Sequence, residues 1–196
     1  MVTTEFDATL AGARNGDDRA FAELWHAFHP PLRRYLRVVA PAMDADDLAS
    51  ITWIEVVRGL DRFTGGEDEF RAWLFTIARH RVYDQRRAAS RRVHTSPIDD
   101  LAAPSDGGAG DPGRLTEEAA ATEAALALLA RLPAEQAEVV ALRVIAGLDV
   151  AAVAELTGRK PGTVRVVAHR ALKRLEALVQ DSVRAGDGNG EWPGGA

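Results

Sequence analysis

The chain contains no cysteine, so disulfides and cysteine-ligated zinc are both excluded. No apolar run approaches the roughly 18 residues of a membrane span. Met1 to Leu10 carries acids where a targeting segment would carry bases followed by an apolar stretch. A cytoplasmic protein with no membrane insertion is therefore expected. There is no Gly-rich phosphate loop ending in Lys-Ser or Lys-Thr, and no nucleophile has a recognisable base partner. Internal repeats and strand-like alternation are missing as well. A net basic charge is also lacking: the formal charge is −5, which argues against a protein that coats nucleic acid indiscriminately.

What is present is a 196-residue chain with 46% hydrophobic residues, enough for one large or two small globular domains. The charge is unevenly placed. Between Arg71 and Arg92 seven arginines (71, 79, 81, 86, 87, 91 and 92) face a single acid, Asp84. From Ser96 to Glu123 seven acids face a single base, Arg114, so the two blocks nearly cancel. The first block is a patch of a size suited to nucleic acid.

Helical periodicity dominates. Asp17 can cap a helix carrying Phe21, Leu24, Trp25 and Phe28, which Pro30 and Pro31 are expected to interrupt. A second helix follows through Leu32, Tyr35, Leu36 and Val39. Asp44 precedes a third, over about 46–61, with Leu48, Ile51, Ile54, Val57 and Leu60 as its apolar positions. Thr64, Gly65 and Gly66 break it. Phe70, Trp73, Leu74 and Ile77 then form a core stripe on a helix whose other face is basic. From Thr95 to Thr116 the composition turns to Pro, Gly, Ala, Ser and Asp without periodicity, which marks a domain boundary. Helical pattern resumes near Glu117 and runs through Leu126, Leu129 and Leu132 to Pro133. Val139, Val140, Leu142 and Val144 predict another helix ending near Gly147.

The strongest local signal is Gly147 to Arg165. Asp149 suits a helix cap, Gly158 tolerates the positive φ of a turn, and Pro161 suits the first position of the next helix. This is a helix-turn-helix pattern. In its second helix Val164, Ala168, Ala171, Leu172 and Leu175 read as core. Lys160, Thr163, Arg165, Val166, His169, Arg170 and Lys173 are left on a basic outer face fit for a major groove. The plainer alternative is a solvated helix in an ordinary bundle.

Two separated segments resemble one family. Leu132-Pro133, Glu138-Val139-Val140 and Gly162-Thr163-Val164-Arg165 resemble region 4 of the extracytoplasmic-function sigma factors of the bacterial sigma-70 family. Asp44 to Leu48, Leu60-Asp61-Arg62-Phe63 and Phe70 to Arg79 resemble the same family's region 2. The resemblance covers about residues 17–178 and implies an all-α fold of two small helical domains. The expected layout is a region 2 domain over 1–94, a flexible acidic linker over 95–118, a region 4 domain over 119–182 and a disordered tail over 183–196.

The resemblance also implies roles. Asp47, Ser50, Ile51 and Trp53 would face the clamp of core RNA polymerase, with Trp53 equally suited to packing inside its own domain. Ser50-Ile51 stands where the family usually has Gln-Glu. Thr64, Gly65 and Gly66 would belong to the loop that receives a flipped base of the −10 element, or else form a plain turn. Arg79, His80, Tyr83, Arg86 and Arg87 would line the opening strand, with Tyr83 offering a stacking face. Trp73 and Phe75 are tempting platforms too, although Trp73 lies on the apolar stripe. The outer face of the Pro161 helix would read the −35 element. Val166-Val167 replaces a usual Ser-Arg, leaving the valines to meet thymine methyls or to enlarge a protein contact. The acidic linker would thread polymerase channels or serve as a tether. Implied partners are core polymerase at its clamp and flap regions, promoter DNA and an anti-sigma factor; no cofactor or catalytic residue is implied.

Three rival classes fit parts of the sequence. An ordinary helix-turn-helix regulator would not need the Asp47 and Trp73 segments. A metal-dependent hydrolase would use His26 and His29, at i and i+3, with Glu23. An interaction module would use its basic helices to hold an acidic partner protein.

Overall fold

Apolar residues recurring every three or four positions produce helices throughout, and no strand occurs among the described residues. The structure, a computed structural model, describes residues 3–95 and 117–187. Most of the expected acidic linker, and the tail from residue 188, lie outside the described residues.

The N-terminal unit contains α1 (Thr3–Arg14), α2 (Asp18–Val39), α3 (Ala45–Gly59), a short 3-10 turn (Leu60–Arg62) and α4 (Glu67–Thr95). The capping expectations hold: Asp17 accepts the Arg19 amide at 2.9 Å, and Asp44 accepts the Asp46 amide at 2.8 Å. The expected break at Pro30 and Pro31 does not occur, because α2 continues through both. Leu24, Phe28, Leu32 and Leu36 make an unbroken buried row, four residues apart, that holds the helix together. The amides lost at the two prolines leave partnerless only the carbonyls of His26 and Ala27, both on the exposed side.

The core face of α3 also differs from the expectation. Leu48, Ala49, Thr52, Trp53 and Val56 are buried, while Ile54 and Val57 are half exposed. Thr52 interrupts the apolar pattern in sequence but not in space. Its hydroxyl donates to the Leu48 carbonyl at 2.7 Å, which satisfies the polar atom and lets the row from Leu48 to Leu60 face inward. The unanticipated α1 supplies Phe6, whose ring meets Phe28 and Phe70 at centroid distances of 6.4 Å and 5.7 Å. On α4 the buried residues Phe70, Leu74, Phe75, Ala78 and Val82 complete this core.

The C-terminal unit contains α5 (Glu117–Ala130), α6 (Ala134–Val140), a π-helical turn (Ala141–Ile145), α7 (Val150–Thr157) and α8 (Pro161–Asp187). Leu126, Leu132, Val139, Leu142, Val153, Val164 and Ala171 are buried here. Two residues expected in this core are outside it: Val144 is 68% exposed and Leu172 55% exposed. The wide π turn shifts the residues after Val140 in register and carries Val144 outward. On α8 the row Val164, Val167 and Ala171 takes the inward face, which turns Leu172 away. The two units touch through α2, which packs against α5, α6 and the π turn.

Candidate nucleic-acid interface

The turn between α7 and α8 is built as its residues dictate. Asp149 accepts the Ala152 amide at 2.7 Å, and Gly158 ends α7 at φ +69°, a left-handed position that favours glycine. Pro161 opens α8, where its missing amide hydrogen costs nothing. Arg159, within the turn, pairs with Glu135 of α6 and ties the motif to the preceding helix. Lys160, Thr163, Arg165, Val166, His169, Arg170 and Lys173 are all exposed, as expected. No carboxylate of the described residues pairs with Arg165, Arg170 or Lys173, so their charges are available to a phosphate or base edge. The two valines separate: Val166 is exposed, whereas Val167 is buried in the core.

The second element is the loop over 63–66. Gly65 has φ +140°, and a Cβ there would lie 2.7 Å from the Cβ of Glu69. The Gly66 amide donates to the Glu69 carboxylate at 3.0 Å, which satisfies a free donor at the start of α4. Phe63 anchors the loop by stacking on Trp73 at 5.0 Å, so Trp73 is a support and not a free platform. Phe75 is wholly buried, edge-on to Tyr35 at 5.2 Å. Arg14 of α1 donates to the Leu60 carbonyl at 3.0 Å and to the Phe63 carbonyl. Thr64 and Gly65 are exposed at the tip. Sequence reasoning missed Arg14 and Glu69 as supports. The three-residue spacing of Gly66 and Glu69 was a legible capping signal, whereas nothing local marks Arg14.

The basic block on α4 is less free than its arginine count. Arg71 pairs with Glu67 at 2.7 Å, and Arg81 with Asp84 at 3.5 Å. Arg79 donates from Nε to Glu138 of α6 at 2.9 Å, and its guanidinium lies 4.6 Å from the centroid of the Tyr83 ring. Burial opposes the Arg79 charge, but the Glu138 carboxylate outweighs it and holds the guanidinium pKa above its ordinary value. Arg86 donates to the Val39 carbonyl and lies 5.7 Å from the same ring. His80 and Arg87 remain exposed on the outer face. Between the two units a cavity of about 130 Å³ is lined by Tyr35, Arg79, Tyr83, Arg86, Glu138 and Arg159. Burial pushes the Tyr35 hydroxyl well above the ordinary phenol range, so it stays protonated.

On α3, Asp47 and Ser50 are exposed and Ile51 is partly so. Ile54 and Val57 extend that outward face, as two large apolar residues left uncovered. Trp53, expected on this face as one of two readings, is 3% exposed and packs between Phe21 and Trp25 at 5.7 Å and 5.0 Å. Its ring is therefore part of the domain's own packing. Glu23, His26 and His29 do not converge. Glu23 accepts the Thr9 hydroxyl at 3.1 Å, His26 is exposed, and His29 stacks on Trp25 at 4.1 Å. Among the described residues no three His, Asp or Glu side chains group as metal ligands.

Known proteins share this arrangement. The family description "Sigma-70 region 2" matches residues 24–92, and "Sigma-70, region 4" matches residues 122–175. The extracytoplasmic-function (ECF) RNA polymerase sigma factor ShbA of Streptomyces griseus is 36% identical over 188 residues, covering 91% of this chain and 97% of that relative. The ECF sigma factor SigD of Mycobacterium tuberculosis is 36% identical over 192 residues, covering 95% and 88%. Among solved structures, the sigma factor RpoE in complex with the anti-sigma factor NepR from Bartonella quintana superposes with a TM-score of 0.60 at 27% identity, covering 82% of this chain and 96% of that one. CnrH in complex with the cytosolic domain of CnrY gives a TM-score of 0.58 at 25% identity, covering 90% and 97%.

Proposed function

We propose, starting from the membership of this chain in the extracytoplasmic-function sigma factors of the sigma-70 family, a division of promoter recognition between its two domains. As a sigma factor the protein directs core RNA polymerase to promoters and initiates transcription. Its partners are core polymerase and promoter DNA. The catalyst is the polymerase, and the cytoplasm is the compartment in which we place the encounter. Among the described residues no helix is long and apolar enough to cross a membrane.

The exposed side of α8 reads the −35 element, with Lys160, Thr163, Arg165, Val166, His169, Arg170 and Lys173 as its contacts. Thr64, Gly65 and Gly66 receive the flipped base of the −10 element, and the tight backbone at Gly65 suits close approach. Arg79, His80, Tyr83, Arg86 and Arg87 line the displaced strand through charge and stacking. The outward face of α3, with Asp47, Ser50 and Ile51 joined by Ile54 and Val57, docks on the polymerase clamp. The domain of α5–α8 reaches the flap region. Two structural relatives are solved with anti-sigma factors, and an anti-sigma factor is the further partner we infer.

The observation that carries this reading is the capped α7–α8 turn, which leaves a row of unpaired cations on α8 in a chain that is acidic overall. Two DNA-facing surfaces on separate domains need a scaffold to fix their spacing, and core polymerase supplies it. The free chain is therefore expected to bind duplex DNA weakly and to initiate only with core. Run-off transcription on genomic fragments, with and without core polymerase, tests this. Specific nanomolar operator binding by the free protein would favour an ordinary regulator.

A further inference from the structure

We propose that the two domains clasp each other in the free chain through Arg79 and Glu138, and that this clasp withholds the strand-lining face of α4 until core polymerase draws the domains apart. The inference rests on the reading of Arg79 and Tyr83 as strand contacts. The Arg79 and Glu138 side chains are only 19% and 11% exposed, and their bond joins helices 59 residues apart in sequence. Arg79 in turn covers the Tyr83 ring, and Arg86 adds a bond to the Val39 carbonyl. A second link at the edge of the same seam joins Arg37 of α2 to Glu123 of α5. Between these links α2 packs on α5, α6 and the π turn, so the contact is apolar as well as ionic.

This geometry leaves no room for a nucleic-acid strand. The cavity beside Arg79 and Tyr83 measures about 130 Å³, room for a few waters. Sites that take ligands of nucleotide size run from roughly 300 Å³ upward. Glu138 thus stands in front of Arg79 where a phosphate oxygen of the strand would stand. The exchange is chemically balanced: a desolvated ion pair contributes little net stability, whereas a buried charge left alone is costly. Opening is therefore disfavoured until another anion or surface replaces Glu138, and it becomes easy once one does. His80 and Arg87, on the outer face, lie outside the clasp and are open to a first encounter.

The lack of native cysteine permits a direct test. Fluorophores on Ala27→Cys in α2 and Ala177→Cys in α8, both exposed alanines, report the distance between domains by energy transfer. Transfer in the full chain is expected to fall with Glu138→Gln and with Arg37→Glu. The swap Arg37→Glu with Glu123→Arg should restore it, and core polymerase should lower it in the labelled parent. Glu138→Gln should also tighten binding of a single-stranded oligonucleotide by about fivefold, since apparent affinity scales with the open fraction. Adding Arg79→Gln should remove that gain. Because Arg37 and Glu123 lie at the surface, that series is independent of any misfolding at Glu138. Transfer unchanged by Glu138→Gln and Arg37→Glu would overturn the clasp, as would strand affinity unmoved by Glu138→Gln. If instead transfer responds as stated while holoenzyme carrying Arg79→Gln melts promoters normally, the strand role of Arg79 fails and the closed contact stands.

Discussion

The amide of Gly66 donates to the carboxylate of Glu69 at 3.0 Å, so the loop between the two sigma-region-2 helices is closed by a side chain of the helix it leads into. Breaking that bond should loosen the loop without touching α8. Glu69→Ala is expected to cost about 1 kcal/mol of stability, the usual net value of such a hydrogen bond, while Glu69→Gln keeps an acceptor and most of the effect. Gly65→Ala is harsher, because it combines φ +140° with a Cβ placed 2.7 Å from that of Glu69. Strain of this kind costs about 1–3 kcal/mol. Both Glu69→Ala and Gly65→Ala should slow strand opening, measured by permanganate reactivity of unpaired thymines. Holoenzyme affinity for a −35 duplex should stay unchanged.

The outward face of α3 separates docking from folding. Asp47→Arg and Ile54→Asp change exposed residues and should weaken association with core polymerase while circular dichroism stays that of the parent. Trp53→Ala should do the reverse in kind. It empties a site between Phe21 and Trp25, with a loss of about 3–5 kcal/mol in urea unfolding, typical of a large aromatic removed from a core. Association of Asp47→Arg with core at parental strength would take the clamp away from this helix.

These two faces of α3 also show what the sequence could and could not reveal. Caps are local chemistry, and Asp17, Asp44, Asp149, Gly158 and Pro161 all stand where their side chains or backbones suit a helix end. The basic exterior of α8 was legible for the same reason, since residues at helical spacing share a face whatever surrounds them. Ile54 and Val57 were not, because an apolar residue meant for a partner reads like one meant for the core. Pro30 and Pro31 misled in the opposite direction: a local penalty was overruled by burial on either side of it. The Arg79–Glu138 bond depends on two helices meeting across the domain boundary, and no periodicity encodes that. Counting arginines accordingly overstated the charge that α4 offers to DNA.

Acid should weaken two surface pairs with a defined sign. The Arg33 hydrogen bond holds the Asp46 carboxyl below the usual carboxylate range, and the Arg37 hydrogen bond does the same for Glu123. A depressed folded-state pKa gives stability that is complete above the unfolded carboxylate value of about 4. That stability is lost as pH falls through the lowered value. Both pairs are exposed, with Asp46 60% and Glu123 47% accessible, so each is worth at most about 1 kcal/mol. Arg33→Gln should therefore lower urea stability slightly at neutral pH and not at all once Asp46 is protonated in both states. A difference that persists undiminished into strong acid would show that Arg33 stabilises by packing.

Arg165 and Lys173 are both exposed on α8 and both lack a protein carboxylate, yet they sit about two turns apart and should behave differently. Arg165 lies in the first turns of the helix, the part that enters a major groove in this motif. A guanidinium there can hold guanine O6 and N7 in a bidentate pair. Arg165→Ala is then expected to cost about 1–3 kcal/mol at one base pair of the −35 element and to relax selection at that position. Lys173, toward the far end, meets phosphate. Its ammonium carries no base preference, so Lys173→Ala should weaken all promoters alike and reduce the slope of log affinity against log salt by about one unit. Holoenzyme affinities over a salt series, on promoters varied one base pair at a time, separate the two roles. Equal losses for both variants on every base pair would make Arg165 a positioning contact and move the reading of sequence to Thr163, Val166 or His169.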